Sequence, residues 1–347
     1  MKDTNKEHRI IVVGCGAMSN HWIQMATRRD DCAIVALVDP DLANAKRRKD
    51  DYSLTAVTYS NLSEALAAEE ANLVFDVTPP QYHQETVMTA LKAGCDVFGE
   101  KPMSDTLAEA ERMVECSEAT GREYFVMQNR RYVPGLWTLR EFLVDKRLGT
   151  VGQISADFQL GPRFRGFRTE MDSPLIADMA IHTFDAARFL TGQNAVSVYC
   201  HEFNPSWSWY KGAANAVCIF EMEDGSVFDY RGSWCANGMV TSWEAQWRVS
   251  CSEGVVFWDG GERLDYEQIV PEGCRGSKSG TGTIELKREN VTLLPMPLTG
   301  HDACVSEMFA ALQSGKRPQT DCRDNIHSIR MVYKAIESAK TGKRLML

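Results

Sequence analysis

Along the first third of the chain, short apolar runs rich in β-branched residues alternate with longer segments of mixed polarity. Several of these apolar runs end at turn-forming residues, as RIIVV ends at Gly14. The pattern predicts strands at residues 9–13, 33–38, 55–59, 73–77, 96–98 and 124–127, and helices at 17–28, 41–49, 62–68, after Pro80 as far as 93, and 106–119. This alternation is typical of a doubly wound parallel sheet with helices on both faces.

After about residue 150, strand-like segments follow one another, with hairpin signals at Asp224-Gly225 and Glu253-Gly254. We predict strands at 217–222, 226–230, 247–251 and 255–258, and helices at 175–190, 302–312 and 324–340. This succession indicates an α+β domain with a mostly antiparallel sheet. We therefore expect one domain at residues 1–128 and a second at 129–347, with helix 324–340 able to pack back on the first, and a mobile loop at Glu272–Thr283.

Composition narrows the classes of protein that fit this pattern. A chain of 347 residues, 44% hydrophobic and 24% charged, is neither disordered nor a coiled coil. Its net charge of −9 disfavours nucleic acid or an anionic membrane as a partner. The 11 cysteines include no C-x-x-C pair, and no segment resembles a membrane span or a signal peptide. We therefore expect reduced, mostly buried thiols, no metal site and a cytoplasmic location.

The turn after the first strand, GCGAMS at residues 14–19, is a G-x-G-x-x-G motif in which Ser19 replaces the third glycine. Gly14 permits the tight turn, and Gly16 lets a pyrophosphate approach the backbone at the helix N-terminus. Ser19 is small enough for close helix–strand packing. A plain strand–helix turn is the alternative, but the position of the motif favours dinucleotide binding, with Ala17 and Met18 in the binding turn.

Asp39 ends the second predicted strand, about 20 residues beyond the glycine turn. An acidic residue there accepts hydrogen bonds from the adenosine ribose and repels a 2′-phosphate, so NAD is favoured over NADP. Arg47 and Arg48 lie near in sequence and could compensate for that repulsion. The alternative is that both arginines belong to a solvated basic helix end.

Two further motifs carry candidate chemistry. Glu100-Lys101-Pro102 ends the fifth predicted strand, where a lysine can bind a substrate hydroxyl near a nicotinamide; an ordinary surface ion pair is the alternative. Asp178 and His182 stand at i and i+4 in helix 175–190, so the carboxylate can orient the imidazole, unless they form a simple surface pair. Asp185 lies off that row and is expected to face solvent.

Taken in order, the glycine turn, Thr78-Pro79-Pro80 with His83, Glu100-Lys101-Pro102 and the D-x-x-x-H pair resemble the Gfo/Idh/MocA family, over essentially the whole chain. The resemblance implies a Rossmann domain followed by an α+β domain whose large open sheet mediates homodimer or homotetramer contacts. It also implies oxidation of a sugar or cyclitol hydroxyl with NAD, or the reverse reaction. Family members often have Asn at the position of Pro80, so a side-chain contact is lost there.

The resemblance also assigns roles to residues. Lys101, Asp178 and His182 match the catalytic residues, with His182 as general base, Lys101 stabilising the alkoxide and Asp178 holding the imidazole. The residues expected to bind the cofactor are Gly14, Gly16, Ala17, Met18, Asp39, Thr78, Pro79, His83, Glu100, Lys101 and Asn129.

Two features bear on substrate choice. Arg163, Arg165 and Arg168 lie in one loop and could hold a carboxylate or phosphate on a sugar; a solvated basic loop or a subunit contact is an equal alternative. A set of tryptophans fits a subunit interface better than a sugar, although Trp207 and Trp209 are good substrate candidates. That set is Trp207, Trp209, Trp234, Trp243, Trp247 and Trp258. The residues expected to bind substrate are Lys101, Arg130, Arg163, Arg165, Asp178, His182 and Trp207.

The sequence thus predicts an NAD-dependent dehydrogenase acting on a ring hydroxyl of a sugar, glycoside or cyclitol. Two alternatives stay open: a glycosidase that uses NAD for transient oxidation, and a non-enzymatic, NAD-binding regulator of the same fold. A regulator needs neither a catalytic lysine nor an Asp–His pair, so their joint presence disfavours it.

Overall fold

The structure is a computed structural model that describes residues 7–270 and 285–347. The loop expected at Glu272–Thr283 lies outside the described residues. The chain divides into two compact units. The first comprises Met1–Asn129 and His301–Ile329, and the second comprises Arg130–Gly300 and Arg330–Leu347. Sequence order alone therefore does not define the units, because each one combines two separate stretches of chain.

The first unit is built on a six-stranded parallel sheet, which confirms the predicted doubly wound fold. Its strands are β1 (His8–Val13), β2 (Cys32–Val38), β3 (Val57–Tyr59), β4 (Leu73–Asp76), β5 (Asp96–Gly99) and β6 (Tyr124–Val126). The intervening helices are α1 (Ser19–Thr27), α2 (Leu42–Asp51), α3 (Leu62–Ala68), α4 (Pro80–Lys92) and α5 (Leu107–Thr120). The strand order β3-β2-β1-β4-β5-β6 reverses direction between β1 and β4, and ligands bind at such a switch point.

The main elements beyond residue 130 are α6 (Pro134–Val144), β7 (Val151–Gln159), a π-helical turn (Leu175–Ala180), α7 (Ile181–Thr191), β8 (Ala195–Phe203), β9 (Asn215–Met222), β10 (Val227–Ser233), β11 (Gln246–Cys251), β12 (Gly254–Trp258), β13 (Leu264–Ile269), β14 (Leu286–Asn290), α8 (Gly300–Ser314), α9 (Cys322–Thr341) and β15 (Leu345–Met346). Within the described residues, the second unit carries a nine-stranded sheet in the order β14-β13-β12-β11-β7-β10-β9-β8-β15. All neighbouring strands are antiparallel except β7 and β10, as the predicted mostly antiparallel sheet requires. The sequence pattern does not predict α6, because Pro134-Gly135 is typical of a turn; Pro134 instead occupies the first helical turn, where proline is tolerated.

Aromatic packing explains why α8 belongs to the first unit. Phe75 of β4 stacks on Phe98 of β5, with ring centroids 5.7 Å apart, and Phe98 stacks on Phe125 of β6 at 5.6 Å. Phe309 of α8 meets Phe98 edge-on at 5.1 Å. All four rings are buried, so α8 covers apolar surface of the parallel sheet.

The predicted helix 175–190 is present, but it begins with the π-helical turn and continues as α7, whose residues 181–190 are all buried. Phe184 packs edge-on against Phe220 of β9 and Tyr230 of β10, at 4.8 and 5.2 Å. The expectation that Asp185 faces solvent is wrong. Its carboxylate accepts hydrogen bonds from Arg131 Nε and Nη2, both at 2.7 Å, because a helix buried on all sides must pair its charges internally.

The subunit-interface interpretation of the tryptophans is wrong for Trp234, Trp247 and Trp258. These side chains are buried within the chain itself, and Trp247 Nε1 and Trp258 Nε1 donate to backbone carbonyls. The thiol prediction is confirmed for the described residues, where ten cysteines are free and nine of them are buried. In the described part of the chain, no helix combines the length and apolarity needed to cross a membrane.

Candidate functional site

The glycine turn joins β1 to α1 and has the geometry that its motif predicts. Gly14 has φ +88°, and a Cβ there would lie 2.6 Å from the carbonyl oxygen of Val77, so only glycine fits. At Gly16 a Cβ would meet no atom within 4 Å, so this backbone faces open space. Gly16, Ala17 and Met18 are all exposed. The turn thus presents bare backbone at the start of a helix, where phosphate groups bind.

Asp39, at the end of β2, helps to fix this turn. Its Oδ2 accepts a hydrogen bond from Cys15 N at 2.9 Å, and its Oδ1 accepts one from Asp41 N at 2.9 Å. Asp39 also lines a cavity of about 380 Å³ together with Gly14, Thr78 and Pro79. Four residues expected to bind the cofactor therefore lie around one cavity.

The charge of this cavity favours NAD. Its other lining residues are Val13, Val38, Pro40, Ser60, Asn61, Leu62, Ser63, Tyr82, Glu85, Thr86 and Thr89. Asp39 and Glu85 bring negative charge, and none of the described lining residues is a lysine or arginine. A 2′-phosphate would meet repulsion here without a compensating cation.

Neither sequence interpretation of the two arginines describes Arg48. Arg47 is exposed, and its Nη2 donates to Asn44 Oδ1 at 2.9 Å. Arg48 is only 8% exposed, and its Nη2 donates to the carbonyl of Gly16 at 2.9 Å. Because it is bound beneath the turn, Arg48 is not among the residues that line the cavity.

His83 lies beneath the turn that follows β4. It is 1% exposed, and its Nδ1 lies 2.7 Å from Oδ2 of the buried Asp76. Oδ1 of Asp76 accepts hydrogen bonds from Thr78 N at 3.1 Å and Thr78 Oγ1 at 2.6 Å. Burial opposes protonation of His83, but the charges of Asp76 and Glu100 outweigh it and raise the pKa of the imidazole. The pair therefore supports Thr78 from below, and His83 is not among the residues that line the cavity.

Glu100, at the end of β5, is buried and bound on both oxygens. Trp22 Nε1 donates to Oε1 at 2.8 Å, and Lys101 N donates to Oε2 at 3.2 Å. Burial raises the pKa of the Glu100 carboxyl, while the Trp22 hydrogen bond and the Lys101 charge partly offset that rise. Trp22 thus holds the residue next to Lys101, a role that nothing in the sequence motifs signals.

In the second unit, Asp178 lies in the π-helical turn and His182 lies in the first turn of α7, and both are mostly buried. The shared-face argument assumes a regular α-helix, whereas a π-helical turn changes the rotation between these residues. Oδ2 of Asp178 accepts a hydrogen bond from Arg168 Nε at 2.6 Å. Arg168, the third arginine of the basic loop that also contains Arg163 and Arg165, therefore binds the carboxylate of Asp178.

His182 also lines a small cavity of about 10 Å³ with Arg130, Trp243 and Glu244. Arg130 Nη1 donates to Glu244 Oε1 at 2.9 Å, and its guanidinium lies 5.6 Å from the Trp243 ring centroid. Burial raises the pKa of Glu244, and Arg130 partly offsets that rise. Arg130 and His182 therefore line the same small cavity.

The remaining candidates are more scattered. Arg163 lies over the ring of Trp209 at 4.5 Å, while Arg165 is exposed. Trp207 is 61% exposed. Asn129 Nδ2 lies 3.3 Å from His301 Nδ1, within the first unit. Sequence reasoning missed Trp22 and Asp76, although Asp76 carries a signal, since it ends β4 as Asp39 ends β2.

The glycine turn, the acidic cavity at the strand ends and the second, mostly antiparallel sheet are typical of a two-unit, dinucleotide-binding protein. Residues 8–128 match the GFO_IDH_MocA model, described as an oxidoreductase family with an NAD-binding Rossmann fold, and residues 136–257 match the GFO/IDH/MocA C-terminal domain. The chain belongs to the Gfo/Idh/MocA family, and it is an NAD-binding oxidoreductase. The family resemblance drawn from the sequence is confirmed.

Two relatives with named activities resemble this chain in sequence. The chain is 26% identical over 360 residues to a D-apiose dehydrogenase of Paraburkholderia graminis, covering 99% of this chain and 91% of the relative. It is 29% identical over 227 residues to an inositol 2-dehydrogenase of Paenarthrobacter aurescens, but that match covers only 65% of this chain and 66% of the relative.

Solved structures show the same fold. An oxidoreductase from Agrobacterium radiobacter, solved in complex with NAD+, L-tartaric acid and magnesium, has a TM-score of 0.84 at 19% identity and covers 98% of each chain. The WlbA dehydrogenase from Bordetella pertussis, in complex with NADH and UDP-GlcNAcA, has a TM-score of 0.79 at 20% identity, covering 99% of this chain and 98% of that one.

Proposed function

We propose that the protein is an NAD-dependent dehydrogenase that transfers a hydride between a ring hydroxyl or ketone of a sugar, glycoside or cyclitol and the nicotinamide. The acidic dinucleotide cavity beside the glycine turn carries this proposal. The relatives named D-apiose dehydrogenase and inositol 2-dehydrogenase support the substrate class. NAD, when bound, supplies the hydride acceptor.

Each unit supplies its own residues to the proposed binding of NAD and substrate. In the first unit, the backbone of Gly16, Ala17 and Met18 binds the pyrophosphate. Asp39 accepts hydrogen bonds from the adenosine ribose. Gly14, Thr78 and Pro79 shape the cavity, His83 supports it, and Glu100, Lys101 and Asn129 complete the cofactor set. In the second unit, Arg130, Arg163, Arg165 and Trp207 bind the substrate.

The proposed chemistry is a proton transfer coupled to hydride loss. His182 takes the proton of the substrate hydroxyl as general base. Lys101 stabilises the negative charge that develops on the oxygen. Asp178 orients His182, and the 2.6 Å hydrogen bond from Arg168 fixes the position of Asp178 in turn.

A substrate panel tests the proposal. Polyols, glycosides and uronic acids are offered with NAD or NADP, and the absorbance of the reduced cofactor is followed. We expect NAD reduction with at least one sugar or cyclitol. If NAD binds but no member is oxidised, the dehydrogenase assignment fails; cleavage of a glycoside without accumulation of NADH would identify the glycosidase instead.

We also propose that the protein forms a homodimer or homotetramer through the second sheet. On adjacent strands β8 and β9, Tyr199 pairs with Ile219 and His201 with Val217. Tyr199, Val217 and Ile219 are between 40% and 50% exposed, which is a large apolar area for neighbouring strand positions. Light scattering should show an oligomer that Ile219→Lys dissociates; a monomeric wild-type protein would contradict this.

A further inference from the structure

Arg48 is the least expected part of the dinucleotide site. From α2, its guanidinium donates through Nη2 to Gly16 O at 2.9 Å and through Nε to Ser19 Oγ at 3.2 Å. Nη1 pairs with Asp51 Oδ2 at 2.8 Å, so the buried charge has an acidic partner on its own helix. The planar fork of arginine can bond a carbonyl and a hydroxyl at once, which the single ammonium group of lysine does less well.

Ser19, at the position of the third glycine, belongs to the same network. It is fully buried, and its hydroxyl donates to Gly16 O at 2.7 Å. The Gly16 carbonyl is therefore held by two side chains. Both donors lie on the inner side of the turn, whereas the Cβ position of Gly16 faces open space.

Holding this carbonyl has a consequence for the ligand side. A trans peptide is planar, with C=O and N–H pointing in opposite directions. Fixing the carbonyl of Gly16 inward therefore fixes the N–H of Ala17 outward. Ala17 and Met18 are exposed at the start of α1, where backbone N–H groups donate hydrogen bonds to phosphate oxygens.

We propose that Arg48 and Ser19 are positioning residues that lock the Gly16–Ala17 peptide in the orientation that receives the NAD pyrophosphate. The hydrogen bonds of Arg48 to the turn keep it away from the adenosine ribose, so it does not compensate for Asp39. This inference rests on NAD binding by the first unit, not on the identity of the substrate.

The test is ligand binding to the whole 347-residue chain, measured by calorimetry or NADH fluorescence. Arg48→Met should lower the affinity for NADH and for ADP-ribose about tenfold or more, since charged hydrogen bonds to the turn are lost. Adenosine, which lacks the pyrophosphate, should bind Arg48→Met and wild type alike. The affinity of Arg48→Lys for NADH and ADP-ribose should lie between those of Arg48→Met and wild type.

Arg47→Met is the matched control, because Arg47 neighbours Arg48 but is exposed and bonded only to Asn44 in the described residues. Equal NADH affinity in Arg47→Met and Arg48→Met would overturn the proposal. An equal loss of adenosine and ADP-ribose binding would also overturn it, because that result indicates general damage to the unit.

Ser19→Ala provides a milder variant if Arg48→Met does not fold. It keeps the Cβ but deletes the 2.7 Å hydrogen bond to Gly16. We expect NADH to bind about threefold to tenfold more weakly, the effect of one neutral hydrogen bond. Unchanged NADH affinity in Ser19→Ala would overturn the role of Ser19 and Arg48 in holding the peptide. Wild-type protein that does not bind NADH at all would contradict the cofactor assignment instead.

Discussion

The two units hold their candidate site residues in different ways. In the first unit, buried partners support the site from beneath: Arg48 binds Gly16, Asp76 binds Thr78, and Trp22 binds Glu100. In the second unit, Asp178 is held by Arg168 from a loop in which Arg163 and Arg165 remain exposed. The first arrangement suits a fixed cofactor, and the second leaves side chains available for a variable substrate.

We propose that this difference separates cofactor binding from substrate choice. Backbone amides and strand ends bind the pyrophosphate, which NAD and NADP have in common. Loop side chains can change without disturbing the core, so they are suited to choosing among sugars. Apart from Lys101, which lies in the first unit and is proposed to contact the substrate oxygen, residues of the two units should therefore affect cofactor and substrate separately when they are substituted.

The largest expected effect concerns the residues assigned to chemistry. Lys101→Ala and His182→Ala should each lower kcat at least about 100-fold, the effect of losing an acid–base group. Steady-state kinetics with the substrate found in the panel measures this, and NADH binding shows that the cofactor site is intact. Lys92→Ala, at an exposed lysine at the end of α4, should leave kcat unchanged. Near-normal turnover in both alanine variants would remove the catalytic assignment.

The next effect separates the cofactor from the substrate. Asp39→Ser removes both the hydrogen bond to Cys15 N and a negative charge from the cavity. We expect the KM for NAD to rise about tenfold and NADP to be used better, since a charged hydrogen bond is lost. Glu85→Gln, on the same cavity wall, is the comparison and should change KM less. A KM for the sugar that rises as much as the KM for NAD would contradict the division between units.

A similar contrast exists within the basic loop. Arg168→Gln should lower kcat/KM about tenfold for every substrate, because Asp178 loses its 2.6 Å charged partner. Arg165→Gln should instead lower kcat/KM only for substrates that carry a carboxylate or phosphate. Kinetics with one neutral and one anionic substrate distinguishes the two. Identical behaviour of both variants would show that the ion pair with Asp178 has no special role.

The smallest effect concerns the carboxyl groups that the units bury. Glu100 has two N–H donors, whereas Glu202 of β8 accepts a hydrogen bond from Ser173 Oγ at 3.0 Å. Burial raises the pKa of Glu202 from 4.5 to about 7, although the Ser173 bond opposes the rise. As the pH rises, the unfolded chain therefore loses this proton at a lower pH than the folded chain does. The free energy of unfolding should fall as pH rises from about 4.5 through about 7.

Glu202→Gln keeps the neutral form at every pH. It should be more stable than wild type at pH 8 and nearly equal to it at pH 5, as measured by urea unfolding. Glu115→Gln, at an exposed glutamate of α5, is the control and should show no such difference. A Glu202→Gln variant less stable than wild type at pH 8 would contradict the burial argument.

Sequence and structure agree most closely in the first unit. Its strands and helices follow the apolar runs and turn residues to within a few positions, because each element is short and bounded by local signals such as Gly14 and the Asn61 cap of α3. In the second unit, α6 begins with a proline and glycine pair, and α7 is buried on all sides although it carries His182, Asp185 and Arg188. Patterns that depend on one buried face are weaker guides there.

The sequence by itself determined the order of strand, glycine turn and helix, the acidic end of β2 and the motifs that place the chain in its family. These are local properties of backbone conformation and residue type. Only the tertiary structure decided that Arg48 lies beneath the glycine turn, that Asp185 pairs with Arg131, and that α8 covers the parallel sheet. Those pairings join residues 29 to 211 positions apart, such as Ser19 with Arg48 and Phe98 with Phe309, so no local pattern encodes them.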